Sequence, residues 1–166
     1  CMTMSGTNAL LCCSLALLNP GDNILLPEPY FPLYAPDATL CGAESRFYPC
    51  LFEHEFVPQI SDLEALVDEN TKVILYNFPS NPTGATIDSE QRDALLDFAR
   101  RHDLWIITDE VYDRIIYGAE HVSFLGTGYE KTLLVNSFSK TFAMTGWRIG
   151  YILSTNLEAM KQLVKL

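Results

Sequence analysis

Short apolar runs of strand type alternate with helical runs along the chain, and this alternation limits the folds that the chain can adopt. Strand-type runs lie at residues 23–26, 44–49, 72–77, 104–108, 132–136 and 147–153. Helical runs lie at residues 5–18, 61–67, 88–102 and 156–166, and another follows the aromatic turn at residues 27–34. This order predicts a layered α/β domain with a mainly parallel sheet, and 166 residues are enough for about one domain.

Composition and charge argue against several classes of protein. The formal net charge of −10 is unfavourable for nucleic-acid binding, because binding to a phosphate backbone needs a basic surface. The longest apolar run, at residues 9–18, is too short to span a membrane. The three histidines are isolated from the cysteines, so no metal site is expected. The five cysteines form no Cys-x-x-Cys pair, and their odd number and apolar neighbours predict reduced thiols in the cytoplasm.

Two stretches have the residue types that bind a phosphate group. Ser5-Gly6-Thr7 opens the first helical run, where free N–H groups and the helix dipole favour an anion. Ser137 and Ser139 precede Lys140 on the loop between the last two strand-type runs, and Arg148 lies near the start of the last run. Arginine suits phosphate because its planar guanidinium group can bind two oxygens at once. The residue types alone leave open a plain helix cap for the first stretch and a solvated surface lysine for the second.

Two further stretches follow strand-type runs. Asp109 comes directly after the run at residues 104–108, and in open α/β sheets ligands bind beyond the carboxyl ends of strands. The alternative for Asp109 is a cap on a following helix. Asn81-Pro82-Thr83-Gly84 comes after the run at residues 72–77, and by its composition alone it predicts only a turn.

Together these motifs resemble those of the class I/II aminotransferases, which are pyridoxal-phosphate-dependent enzymes of fold type I. The lysine signature of that family is Ser-x-Ser-Lys followed by Gly-x-Arg-x-Gly, and here it runs from Ser137 to Gly150. Four more stretches match the family in the same order: Ser5-Gly6-Thr7, the aromatic turn at residues 27–34, Asn81-Pro82-Thr83-Gly84 and Asp109-Glu110-Val111-Tyr112. The resemblance implies the large domain of fold type I, a three-layer α/β sandwich with one antiparallel strand at residues 147–153.

The resemblance implies three catalytic residues and pyridoxal 5′-phosphate as the cofactor. Lys140 is expected to hold the cofactor as a Schiff base and to move a proton during catalysis. Asp109 is expected to bind the pyridine nitrogen, and Tyr112 the phenolic oxygen. An unperturbed lysine has a pKa of about 10.4 and is a poor base at neutral pH, so we expect burial and a cation such as Arg148 to lower its basicity.

The remaining matched residues are expected to bind the cofactor without taking part in bond changes. Asn81 is expected to donate to the phenolic oxygen, and Phe31 to stack on the ring, with Tyr30 as the rival. The phosphate group is expected to contact six residues, namely Ser5, Gly6, Thr7, Ser137, Ser139 and Arg148.

The implied protein transfers an amino group from an amino acid to a 2-oxo acid as a cytoplasmic homodimer, without nucleic acid or membrane as a partner. Residues 1–166 are expected to be a large domain truncated at both ends, because the chain begins just before the Ser5 motif and stops inside a helical run. The N-terminal segment and the C-terminal small domain would then be absent, and the fragment alone would be inactive.

Two other functions remain open at this point. A related pyridoxal-phosphate-dependent lyase or synthase shares all of these motifs, and product analysis with amino acids and 2-oxo acids separates elimination from amino-group transfer. A transcription regulator could instead use an aminotransferase-like domain to sense an effector, and its gene would also encode a basic helix-turn-helix.

Overall fold

The computed structural model describes residues 1–166 and has a seven-stranded sheet at its centre. The strands are β1 (Met2–Thr3), β2 (Asn23–Glu28), β3 (Glu44–Pro49), β4 (Thr71–Asn77), β5 (Trp105–Asp109), β6 (Thr132–Ser137) and β7 (Gly150–Leu153). Their order is β1-β7-β6-β5-β4-β2-β3, which places β5 in the middle and β3 at an edge. Neighbours from β6 to β3 are parallel, whereas β7 is antiparallel to both β6 and β1. The prediction of a mainly parallel sheet is confirmed.

Helices cover both faces of the sheet and complete the three-layer α/β sandwich that the sequence predicts. They are α1 (Gly6–Leu17), α2 (Tyr34–Leu40), α3 (Ile60–Glu64), α4 (Ser89–Arg101) and α5 (Leu157–Leu163). Helices α1, α2 and α5 pack on one face, where Cys13, Ala38 and Leu163 belong to the core. Helices α3 and α4 pack on the other face through Leu63 and Phe98. None of these helices is long and apolar enough to cross a membrane.

The inner strands are apolar on both sides because both of their faces are covered. In β2, Ile24 and Leu26 belong to the core under α1 and α2, whereas Leu25 belongs to the core on the opposite face. In β4, Val73 and Ile74 divide between the two cores in the same way. Continuous apolar runs, rather than alternating ones, are therefore the sequence signal for these strands.

The ends of the helices show which local signals were reliable. Asp88 caps α4 as expected: its carboxylate accepts from Gln91 N at 2.8 Å, and Gln91 Oε1 accepts from Asp88 N at 3.0 Å. Ser61 followed three residues later by Glu64 predicts a Ser cap for α3. This prediction is wrong, because α3 begins at Ile60 and has Gln59 at its N-cap position, without a side-chain cap bond.

Two expectations near the carboxyl end of the chain need correction. The antiparallel strand begins at Gly150 rather than at residue 147, because residues 145–147 form a 3-10 helix and Arg148 has a left-handed φ of 52° that no strand adopts. The helical run at residues 156–166 predicts an apolar side of Leu157, Met160, Leu163 and Val164. In α5 only Leu163 of this side is buried, whereas Leu157 is exposed.

The topology places the candidate residues at one end of the sheet. The chain first moves outward from β2 to β3 and then returns to the other side of β2 for β4, β5 and β6. In open α/β sheets the crevice at such a reversal, beyond the carboxyl ends of the strands, is where ligands bind. Phe31, Asn81 and Asp109 lie at or shortly after the ends of β2, β4 and β5, and Ser137 ends β6.

Gly150 lets the start of α1 lie directly against the sheet. A Cβ atom at this position would lie 2.5 Å from both Ser5 O and Gly6 N, which is closer than non-bonded atoms approach. Glycine is therefore required at the first residue of β7 if Ser5 is to keep its place.

We expect Gly150→Ala to destabilise the fold by about 1–3 kcal/mol or more, because the obstructing atoms are backbone and cannot rotate away. Gly146→Ala is the matched control, since a Cβ there meets nothing within 4 Å, and it should change stability by less than about 0.5 kcal/mol. Urea unfolding of both variants measures the difference. Equal stability of the two variants would contradict the close approach.

Candidate active site

All eleven candidate residues from the sequence line one pocket at the carboxyl ends of the parallel strands. They are Ser5, Gly6, Thr7, Phe31, Asn81, Asp109, Tyr112, Ser137, Ser139, Lys140 and Arg148. Leu10, Tyr34, Val111 and Thr145 complete the lining. Residues that are far apart in the sequence are thus brought together, although their individual roles stay predictions.

Asp109 is a buried carboxylate at the end of the central strand. Tyr34 Oη donates to its Oδ2 at 2.7 Å, and Val111 N donates to its Oδ1 at 3.3 Å. Burial raises the pKa of Asp109 to about 6, although these two hydrogen bonds act in the opposite direction. No helix follows Asp109, so the alternative of a helix cap is wrong and its bond to Val111 belongs to a turn.

Asn77 joins the loop that carries Asn81 to the strand that carries Asp109. Its side-chain Nδ2 donates to the Asp109 carbonyl oxygen at 2.9 Å, and its Oδ1 accepts from Asn81 N at 2.7 Å. Asn77 is itself buried at the end of β4. The Asn-Pro-Thr-Gly turn is therefore held at the pocket by a buried side chain rather than by its own composition.

The start of α1 forms one wall of the pocket. Ser5 is the N-cap residue, and its Oγ accepts from Asn8 N at 3.4 Å. The N–H groups of the first helical turn have no partner within a helix, so those of Gly6 and Thr7 are available to an anion. Ser5 has φ 93° and ψ 164°, a conformation that is strained for any residue except glycine.

The lysine loop forms the facing wall. Ser137 and Ser139 are buried, and Ser139 N donates to Ser137 Oγ at 3.3 Å. Lys140 Nζ lies 5.5 Å from the centroid of the Tyr112 ring. Lys140 is exposed in this chain, so the expectation that this lysine is buried is wrong for these residues by themselves.

Arg148 reaches the pocket from a strained backbone. It has φ 52° and ψ 49°, and its Nη1 donates to Thr145 O at 3.0 Å. Left-handed conformations are uncommon for residues other than glycine, and they concentrate at functional sites.

Phe31 and Tyr30, the two candidates for stacking on the cofactor ring, lie in different surroundings. Phe31 lines the pocket and packs edge-on against Tyr34, with ring centroids 5.6 Å apart. Tyr30 instead stacks on Phe47 of the edge strand, with ring centroids 5.1 Å apart. The geometry therefore favours Phe31.

Sequence reasoning missed Tyr34 and Asn77. Both are buried polar side chains whose partners lie at the Asp109 position, 75 residues after Tyr34 and 32 residues after Asn77. Local periodicity contains no signal for such pairs. For Tyr34 the one available signal was its place at the end of the aromatic turn.

We expect Tyr34→Phe to raise the pKa of Asp109 above about 6, because the carboxylate loses the hydroxyl that donates to it. A hydrogen bond to a charged group is worth about 1.5–3 kcal/mol, so the rise should be about one pKa unit or more. Carbon-13 NMR titration of the Asp109 carboxyl measures it. Tyr112→Phe is the control and should leave the pKa of Asp109 where it is.

The raised pKa of Asp109 in the wild-type chain predicts a pH dependence of stability. The unfolded Asp109 carboxyl loses its proton near the ordinary value of 3.8, whereas the folded one keeps its proton to about pH 6. The folded state therefore binds more protons between these values, and the contribution of Asp109 to stability is lost as the pH rises from about 4 to about 6. Tyr34→Phe should extend this loss to higher pH.

The whole chain matches a known protein family. The family model for aminotransferase class I and II matches residues 1–166. An aspartate aminotransferase of Pyrococcus horikoshii is 40% identical over 152 residues, which are 91% of this chain and 39% of that protein. An aromatic-amino-acid aminotransferase of Thermococcus litoralis is 39% identical over 155 residues, which are 91% of this chain and 40% of that protein. The chain thus spans about two fifths of the length of these curated relatives.

Solved structures agree with the family match. A Thermus thermophilus aspartate aminotransferase variant superposes with a TM-score of 0.95 at 35% identity, over 99% of this chain and 43% of that chain. An aromatic aminotransferase from Pyrococcus horikoshii superposes with a TM-score of 0.93 at 37% identity, over 99% of this chain and 44% of that chain. By its sequence and its fold, this chain belongs to the class I and II aminotransferase family.

Proposed function

We propose that residues 1–166 form the cofactor-binding large domain of an aminotransferase, which transfers an amino group from an amino acid to a 2-oxo acid. Class I and II aminotransferases depend on pyridoxal phosphate. The observation that carries the proposal is the single pocket that combines Lys140, a set of anion-binding groups and a buried carboxylate. The relatives are named for aspartate and for aromatic amino acids, so we propose the substrates by class only.

The groups at the start of α1 and on the lysine loop fit a phosphate. They comprise the free N–H groups of the first helical turn, the Ser137 and Ser139 hydroxyls and the Arg148 guanidinium group. A Cβ at Gly6 would lie 3.5 Å from Ser137 Cβ and would fill space between α1 and β6.

The buried carboxylate fits a protonated ring nitrogen. Each Asp109 oxygen accepts one hydrogen bond, from Tyr34 or from Val111, so the group is held in one orientation. A cation against it would lower the pKa that burial raises to about 6, and would offset the cost of burying the charge. In this role Asp109 keeps a proton on the ring nitrogen.

The remaining pocket residues fit the other edges of the cofactor ring. Asn81 and Tyr112 supply an amide and a hydroxyl for the phenolic oxygen, and Phe31 supplies an aromatic face for the ring. Asn77 holds the Asn81 loop in place through its 2.7 Å bond.

Bound pyridoxal phosphate supplies an electron sink for the pair that remains when the substrate Cα loses a proton. Lys140 Nζ would hold the cofactor between turnovers, and once the substrate amine had released it as a free amine it would accept the proton from Cα. The face of the Tyr112 ring, 5.5 Å from Nζ, attracts the ammonium form and so favours one position of the lysine.

We also propose that the protein works as a homodimer whose partner subunit covers the mouth of this pocket. Met4, Phe142 and Trp147 are large exposed apolar side chains. Each lies within two residues of a pocket residue along the chain. Such an apolar surface favours association, and covering it would remove Lys140 from water.

A cytoplasmic location is part of the same proposal. All five cysteines are free thiols in the structure, and four of them are buried. Free thiols are typical of proteins from reducing compartments, which supports this location.

We expect borohydride reduction of the chain loaded with pyridoxal phosphate to fix the cofactor on Lys140. Lys131 pairs with Asp103 at 2.7 Å and lies outside the pocket, so Lys131→Ala should keep the label whereas Lys140→Ala should lose it. Peptide mapping by mass spectrometry locates the label. A label on Lys131 or Lys72, or no label on any lysine, would contradict the proposal.

We expect Arg148→Lys to weaken pyridoxal-phosphate binding by roughly tenfold, because lysine keeps the charge but cannot bind two phosphate oxygens at once. Arg114→Lys, at an exposed arginine outside the pocket, is the matched control. Equilibrium dialysis measures both affinities. If Arg148→Lys binds as tightly as the control, Arg148 does not hold the phosphate.

A further inference from the structure

Residues 110–131 connect β5 to β6 without a helix or strand, yet they carry two groups of the pocket. Tyr112 lines the pocket, and Val111 N donates to Asp109. The position of both groups therefore depends on what holds this irregular segment against the sheet.

A second buried carboxylate, that of Glu110, holds this segment against the sheet. Glu110 is 2% exposed, and its Oε1 accepts from Thr108 Oγ1 at 3.0 Å, Ser123 Oγ at 3.0 Å and Phe124 N at 3.1 Å. Its Oε2 pairs with His121 Nε2 at 2.6 Å. We call these five residues the Glu110 clamp. The clamp closes residues 111–124 into a loop whose two ends meet at one carboxylate.

The clamp is anchored on the sheet. Glu110 N donates to Val135 O at 3.0 Å, which continues the pairing of β5 with β6 by one residue. Side-chain bonds to the loop from residues outside 110–131 are longer: Val111 N to Asp109 Oδ1 and Arg92 Nη1 to Ser123 O at 3.3 Å, and Thr141 Oγ1 to Asp113 Oδ1 at 3.5 Å. Glu110 is thus the main link between the loop and the strand that ends in Asp109.

We propose that Glu110 and His121 are positioning residues for the cofactor site: their bond holds residues 111–124 so that Tyr112 and Val111 N keep their places beside the cofactor. This inference rests on the proposed function. Neither residue lines the pocket, so both act through other groups.

The chain contains a second histidine–glutamate pair that serves as a control, in which Glu64 is more exposed than Glu110 and also pairs with Arg101. His102 Nε2 lies 2.9 Å from Glu64 Oε2, at the far side of the domain on α3 and the end of α4. The two histidines are similarly shielded, with side-chain exposures of 27% for His102 and 20% for His121. A purely structural role for the clamp predicts that the two pairs behave alike toward the cofactor.

The test compares His121→Ala with His102→Ala in titrations of the chain with pyridoxal phosphate. We expect His121→Ala to weaken cofactor affinity by roughly tenfold, because a bond to a charged group is lost, and His102→Ala to leave it within about twofold. His121→Gln should restore most of the affinity, since its amide can still donate to Glu110. Hydrogen exchange should increase in residues 111–124 for His121→Ala only.

A double-mutant cycle with Tyr112→Phe tests the route of the effect. If the clamp acts through Tyr112, His121→Ala should cost clearly less affinity in the Tyr112→Phe background than in the wild type. Glu110→Gln repeats the test from the other partner, and the histidine variants suffice if it does not fold.

Equal cofactor affinities for His121→Ala and His102→Ala would overturn the inference, as would no recovery with His121→Gln, and full additivity in the cycle would overturn the part of it that acts through Tyr112. These results would leave the proposed function intact, because the wild-type chain would still bind the cofactor at Lys140. If the wild-type chain binds no pyridoxal phosphate, the proposed function fails and this inference fails with it.

Discussion

The carboxylate of Asp109, buried at the end of the middle strand, is the group around which the pocket is built. Burying a charge without partners costs several kcal/mol, so its partners must be held firmly. Tyr34 comes from α2, Val111 from the β5–β6 connection, and Asn77 from β4 bonds the Asp109 backbone. Three separate parts of the chain therefore have fixed positions relative to one strand end, and the remaining pocket residues depend on those positions.

The pocket is electrostatically asymmetric although the protein as a whole is acidic, with a formal net charge of −10. Helix N–H groups, two buried serines and Arg148 supply positive potential, while Asp109 supplies negative charge. Because both sets of groups line one pocket at the same end of the sheet, the sheet fixes the distance between them. Such a pocket suits a ligand that is anionic at one end and cationic at the other, and disfavours ligands of a single charge.

The sequence predicted most of this fold because its strongest signals are local. The continuous apolar run of β4 and the capping box at Asp88 each determine their own element. Two of the failures depend on strain or on distant contacts. The sequence of residues 147–149 is typical of a strand, but the left-handed backbone of Arg148 prevents one. The bond between Tyr34 and Asp109 joins residues that are 75 positions apart, so no local pattern predicts it. The motifs identified the pocket residues, but only the fold revealed the buried groups that hold them.

The two ends of the pocket are held by different means. The carboxylate end depends on hydrogen bonds to buried groups, whereas the anion-binding end depends on strained backbone at Ser5 and Arg148, at about 1–3 kcal/mol each. Packing around Gly150 keeps Ser5 in that conformation. An anion bound at this end would stabilise the strained state by mass action, since the unstrained chain would not bind it. Ligand binding should therefore stabilise the anion-binding end more than the carboxylate end, where the hydrogen bonds of Asp109 form without a ligand.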